Sequence, residues 1–194
     1  MELLLGTKNR GKISEIKEIL RALPALRLLT YEDRPFEDAP EEGDSFEENA
    51  RLKARRICNE TGLPVLAEDA GLEVRALGGR PGVRSKRFVG EGATDGERIT
   101  RLLSLLQGVS DRRARFRSVA VLHFPNGDEL SAEGELRGEI AQDPRGSAGF
   151  GYDPVFIPEG FSKTLAELGL EVKNKISHRR RALEGLLEAL HERR

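Results

Sequence analysis

Pro125-Asn126-Gly127-Asp128 lies between two strand-like segments, Ala114–Phe124 and Glu129–Glu139. Asn-Gly between two such runs is the strongest short-range sign of a β-hairpin, because both residues tolerate the positive φ angles that its tight turn needs. The hairpin fixes an antiparallel pair in the middle of the chain. Before it, strand-like runs alternate with helix-like ones. Glu2–Thr7 reads as a strand. Gly11–Leu23 shows helical spacing in Ile13, Ile16, Ile19, Leu20 and Leu23, and Pro24 is expected to stop it. Leu26–Leu29 reads as a second strand, and Thr30–Asp44, rich in proline and acid, as a loop. Ser45 with Glu48 predicts a capping box for a helix that runs to about Thr61, where Gly62 ends it. Thr94 with Glu97 predicts a second capped helix, Thr164 with Glu167 a brief third, and Ser177 opens the last. Interleaved elements with an antiparallel hairpin predict an α/β fold with a mixed sheet flanked by helices. The hairpin could build a second lobe, and a cleft between two lobes would suit a ligand.

At 194 residues the chain fits one domain, 1–194, with an ample core. It has no apolar stretch long enough to span a membrane. Its first residues are too few and wrongly charged for a signal peptide. Cys58 is the only cysteine, which excludes an internal disulfide and favours a cytoplasmic home. Beside Ile57 in a helix, it reads as core. A formal net charge of −1 offers no general attraction for nucleic acid or anionic lipid. His123 and His191 lack the partner spacing of a zinc site.

Glu68-Asp69 closes the apolar run Leu63–Ala67, and Ala70-Gly71 is expected to turn the backbone. Adjacent carboxylates at the end of a core strand lose solvation, and each disfavours ionisation of the other. A bound cation or a reaction would justify them; a solvated acidic turn is the plainer alternative. Thr7-Lys8-Asn9-Arg10-Gly11-Lys12 joins the first strand to the first helix, where free N–H groups and the dipole favour phosphate. Its glycine spacing is not that of a Walker loop. Asn49 and Lys53 share a helix face one turn apart. In Gly149-Phe150-Gly151-Tyr152-Asp153, glycines flank an aromatic ring suited to stacking on a base. Beyond Lys173, Ser177 is read as an N-cap, so His178 and Arg179 put positive groups in a helix's first turn, an unfavourable place unless acceptor groups dock there. Each could instead be a solvated face or a core plug.

Taken in order, these segments are specific. Thr7-Lys8-Asn9 with Lys12, Gly43-Asp44-Ser45-Phe46 with Asn49-Ala50 and Lys53-Ala54, Ala67-Glu68-Asp69-Ala70-Gly71-Leu72, Pro81-Gly82-Val83 with Ser85, Gly149–Pro154 and Ser177-His178-Arg179 resemble the inosine triphosphate pyrophosphatase family, also called XTP/dITP diphosphatases, over nearly the whole chain. The resemblance implies an elongated mixed sheet with two lobes and a central substrate cleft, a homodimer, and Mg²⁺-dependent cleavage of ITP, dITP and XTP to monophosphate and pyrophosphate. It implies Asp69 as catalytic acid, Thr7 to Lys12 as the phosphate segment, and Phe150, Gly151, Tyr152, Asp153, Lys173, His178 and Arg179 at the nucleobase. The chain departs from the family's usual Asp-Asp-Ser-Gly, which is Glu68-Asp69-Ala70-Gly71 here. Ala70 is thereby left only its backbone for a substrate contact. Pro40 stands where the family's further Mg²⁺ acid is expected, leaving Glu41 or Glu42, of which Glu41 is preferred.

On this reading Asp69 and Glu41 hold Mg²⁺, Lys12 and Lys53 hold phosphate oxygens, and Asp69 deprotonates the attacking water. Glu68 tunes the Asp69 pKa or holds a metal-bound water, while Arg179 and His178 offer donors to the purine O6. Alternatives are a pyrophosphatase for other modified nucleotides and a nucleotide-binding module without catalysis.

Overall fold

The computed structural model describes residues 1–21, 23 and 25–192. Among them are strands β1 (Glu2–Leu5), β2 (Arg27–Leu29), β3 (Val65–Val74), β4 (Arg113–His123), β5 (Glu129–Ile140) and β6 (Phe156–Pro158). The helices are α1 (Arg10–Ile19), α2 (Phe46–Thr61), α3 (Asp95–Leu105), α4 (Leu165–Leu168), α5 (Leu170–Ile176) and α6 (His178–Glu192). The strands form one sheet in the order β2-β1-β3-β4-β5-β6. β1 pairs in parallel with β2 and β3, and β5 pairs antiparallel with β6, so the sheet is mixed as expected. The hairpin turn closes through Phe124 and Asp128.

The chain divides into two compact units. The first comprises 1–69, 118–134 and 178–194, and the second 70–117 and 135–177. Strands β3, β4 and β5 contribute residues to both. In the first unit, Leu3, Leu5, Ile16, Leu66, Ala120, Leu122, Leu183 and Leu186 form a core beneath α1 and α6. Close to that core, α6 approaches β5 at Gly134, where a Cβ would lie 2.1 Å from the His178 carbonyl oxygen; no other residue fits there. In the second unit the core gathers Leu72, Val74, Leu102, Leu106, Phe116, Ile140, Val155 and Phe156.

Local expectations are corrected in places. β3 runs through Ala70-Gly71 without turning, because Leu72 and Val74 are themselves fully buried and the strand continues into the second core. Asn9 caps α1, which begins at Arg10 and ends at Ile19; the stop expected at Pro24 lies outside the described residues. Ser45 caps α2, but the Glu48 carboxylate accepts from the Asp44 N–H rather than completing a box with Ser45. Thr94 and Thr164 do form full capping boxes. α5 was not anticipated, since its short polar sequence carries little helical patterning.

Candidate active site

Strand alternation gives Glu68 and Asp69 different surroundings. Successive side chains on a strand point to opposite faces. Leu66 packs among α1 and α6 residues, and Glu68, two positions on, faces the same way. Asp69 faces α2, whose Asn49 bonds it. Both acids are buried, at 3% and 5% exposure.

Glu68 is surrounded by donors. Its Oε1 accepts from the Ser118 hydroxyl at 2.7 Å, and its Oε2 accepts from Arg179 Nε at 2.9 Å. The Lys12 ammonium stands 3.7 Å from Oε2. Arg179 also donates to Glu15, a buried acid on α1. Burial alone would raise the Glu68 carboxyl, but Arg179 and Lys12 outweigh it and hold the group far below the usual carboxylate range. Arg179, despite burial, is correspondingly held more firmly charged by Glu68 and Glu15.

Asp69 goes the other way. Burial raises its pKa and the charge of Glu41 adds to the rise, while Lys12, Lys53 and the Asn49 amide offset them only in part. Asn49 donates from Nδ2 to Asp69 Oδ2 at 2.9 Å, and its Oδ1 accepts from the Gly43 N–H at 2.8 Å, which fixes the amide's orientation. Lys53 donates to Glu41 and to the Glu68 carbonyl oxygen at 3.2 Å. Burial lowers the pKa of Lys12, a shift that the Glu68 charge opposes.

The phosphate segment follows from the α1 cap. Asn9 Oδ1 accepts from the Lys12 N–H at 3.1 Å, and Thr7 Oγ1 accepts from the Asn9 N–H at 3.2 Å. Arg10 and Gly11 fill the first turn. Lys8 lies 3.4 Å from Asp38 and 5.5 Å from the Phe36 ring, and the Arg10 pKa is raised, chiefly by Tyr31. The acidic loop Thr30–Asp44 therefore lines this segment.

The first unit thus brings together Lys12, Glu41, Asn49, Lys53, Glu68, Asp69 and Arg179. His178, 4% exposed, opens α6 beside Arg179. In the second unit, which begins at Ala70, Phe150, Gly151, Tyr152, Asp153 and Lys173 form their own cluster. Asp153 Oδ2 accepts from the Phe150 N–H at 3.1 Å and from Lys173 Nζ at 2.6 Å. The Lys173 ammonium sits 4.4 Å from the centre of the Phe150 ring. Gly149, at φ +79°, has the Asp153 carboxylate 2.1 Å from where a Cβ would stand. Asp95 accepts from the Gly151 N–H at 2.9 Å, and the Tyr152 hydroxyl donates to the Ser85 carbonyl oxygen at 2.8 Å.

Sequence reasoning missed Glu15, Ser118 and Asp95. Glu15 carried a signal: it stands three residues after Lys12 and beside Ile16, inside the apolar stripe. Ser118 and Asp95 carried none, since a serine in a strand and an acid in a helix's first turn are ordinary.

Asp69 and Glu41 are close enough for one charge to shift the other. Among the described residues no group of three or more His, Cys, Asp or Glu side chains could hold a metal alone. Two neighbouring carboxylates suit Mg²⁺, which usually takes its other ligands from water and substrate phosphates.

A family model described as the Ham1 family matches residues 3–189. A dITP/XTP pyrophosphatase of Bdellovibrio bacteriovorus is 45% identical over 98% of each chain. One from Thermus thermophilus is 49% identical over 97% of this chain and 91% of its own. Among solved structures, the Ham1 protein of Staphylococcus aureus superposes with a TM-score of 0.89 at 38% identity over the full length of both chains. A HAM1 protein from Coxiella burnetii gives 0.89 at 43%, over 99% of each.

Proposed function

This chain belongs to the Ham1 family, and from that premise we propose that it hydrolyses the non-standard purine nucleoside triphosphates ITP, dITP and XTP to monophosphate and pyrophosphate. One observation carries the assignment of roles. Two adjacent buried carboxylates are shifted in opposite directions, Glu68 down and Asp69 up. Such splitting separates a fixed anion from a group able to exchange a proton. Asp69 is the general base. It takes a proton from the water whose oxygen bonds to the α-phosphorus, while the bond from that phosphorus to the bridging oxygen breaks and pyrophosphate leaves.

Lys12 and Lys53 hold phosphate oxygens and oppose the charge that grows on the leaving group. The α1 N-terminus, with Thr7, Lys8, Asn9, Arg10 and Gly11, offers further donors. Asp69 and Glu41 are the carboxylates that would hold Mg²⁺, which when bound neutralises phosphate charge. Asn49 holds Asp69, and Lys53 holds Glu41. Phe150 provides the stacking surface for the base, with Gly151, Tyr152 and Asp153 shaping its loop. His178 provides a donor for the purine O6, and adenine, with an amino group there, leaves that donor unpaired. Each such mismatch costs about 1–3 kcal/mol. Arg179, engaged by Glu15 and Glu68, acts by position rather than by reading the base. The family resemblance also supports a homodimer working in the cytoplasm, and light scattering would give its mass. No helix among the described residues is long and apolar enough to cross a membrane.

The test is hydrolysis of ITP, XTP, dITP, ATP and GTP with and without Mg²⁺, scoring pyrophosphate against phosphate. ITP, dITP and XTP should give pyrophosphate only with the metal. Asp69→Asn should lose about 10²–10⁴-fold in rate, the usual cost of removing a general base; near wild-type turnover would refute the assignment.

A further inference from the structure

We propose that Ser118 is a positioning residue for the reaction: its hydroxyl holds the glutamate at position 68 so that Lys12 stays aimed at the leaving group. Ser118 lies on β4, is fully buried, and donates to Glu68 Oε1 at 2.7 Å. The other carboxylate oxygen faces Arg179 Nε at 2.9 Å and Lys12 at 3.7 Å. The carboxylate is therefore gripped on one oxygen by strand β4 and on the other by α6 and α1. A single-point hold would leave the carboxyl plane free to rotate, and Lys12 would follow it.

Side-chain length matters to the partnership. A glutamate reaches about 1.5 Å further than an aspartate, one carbon–carbon bond. That added reach needs a donor at its far end, because a buried carboxylate oxygen without one is costly. Ser118 supplies it. An aspartate at 68 could not span both Ser118 and Arg179, so the two residues should depend on each other.

The role in turnover rests on the reading of the reaction above, but the coupling between Ser118 and Glu68 does not, and a double-mutant cycle separates them. Ser118→Ala, Glu68→Asp and the double variant are unfolded in urea without nucleotide, then assayed for pyrophosphate release from ITP. The midpoint of the double variant should equal that of the more affected single variant, not the sum of both shifts. In turnover, Ser118→Ala should lower kcat about 10-fold, which corresponds to about 1.4 kcal/mol. KM should move less than about threefold, since charge on the leaving group grows only towards the transition state. The cycle should be non-additive in kcat as well. Ser118→Cys, nearly isosteric but a weaker donor, should fall between Ser and Ala, and it remains usable if the alanine variant does not fold. Additive urea midpoints would overturn the coupling. Coupled midpoints with unchanged kcat would overturn the positioning role, as would a cysteine variant as active as wild type. Coupled midpoints in a wild-type protein that does not cleave ITP would instead reject the reading of the reaction.

Discussion

Arg179 and Arg115 each stand between two glutamates. Arg179 meets Glu15 and Glu68, and all three side chains are 3% exposed. Arg115 meets Glu73 at 2.6 Å and Glu135 at 2.9 Å, but its side chain is 42% exposed. The residue types and contacts match, yet the energetics differ. Around Arg115 water screens every charge, and any member can leave its partners to solvent. Around Arg179 no member can leave without stranding a desolvated charge. Ion pairs that look alike in a contact diagram therefore divide by burial into surface chemistry and a structural commitment, and only the second kind holds a reactive group in place.

Arg179→Ala tests that division most strongly. It leaves Glu15 and Glu68 as buried anions, and breaking such a pair costs about 3–5 kcal/mol. Urea unfolding should show a loss of that size. A loss below about 1 kcal/mol would place Arg179 in the same class as Arg115 and dissolve the comparison.

The same comparison marks what could be read in advance. The capped helix starts, the hairpin at Asn126-Gly127 and the mixed sheet were legible because local chemistry decides them. The Glu68-Asp69 pair was legible as a candidate because acids at the end of an apolar run need a reason, Lys12 because it stands at a helix start, and Asn49 with Lys53 because they share one helix face. The partners of Arg179 were not. Its positive charge at a helix start suggested a docked ligand, whereas Glu15 and Glu68, from 164 and 111 residues earlier in the chain, supply the acceptors. Long-range pairing of charges leaves no periodic trace. Strand alternation could have placed Glu68 and Asp69 on opposite faces of β3, but which helices cover those faces is a tertiary fact.

The pair also predicts opposite responses to pH. Glu68 has its pKa depressed on folding, chiefly because Arg179 and Lys12 overcome the effect of burial. A depressed acid contributes stability that is complete above the ordinary glutamate pKa of about 4.3 and is lost as pH falls below it. Glu68→Gln should therefore destabilise at neutral pH, by about 1–3 kcal/mol, and flatten the acid side of the stability curve. Asp69 is raised, so its charged form is a burden at neutral pH that is relieved as pH falls. Asp69→Asn should raise Tm at pH 7 while cutting turnover about 10²–10⁴-fold. Matching signs for the two substitutions would contradict the split.

A smaller effect concerns Asn49, whose amide favours the charged form of Asp69. The base must be deprotonated, so kcat/KM falls as pH drops through the Asp69 pKa. Asn49→Ala removes a group that lowers that pKa, and the acid limb should move to higher pH. A shift to lower pH would mean that Asn49 does not act through this hydrogen bond.

Arg115→Ala should have the smallest effect. Its contacts to Glu73 and Glu135 raise the arginine's pKa, with the Glu73 hydrogen bond the largest cause. Exposure discounts any stability that shift suggests. Glu73 keeps Arg117 at 3.1 Å and Glu135 keeps Arg137 at 2.7 Å, so neither acid is stranded. The expected loss is about 0.2–1 kcal/mol, shrinking further in high salt as the remaining charges are screened. The salt series carries the argument: the Arg115 effect should fade with ionic strength while the Arg179 effect persists, because ions screen only the charges they can approach.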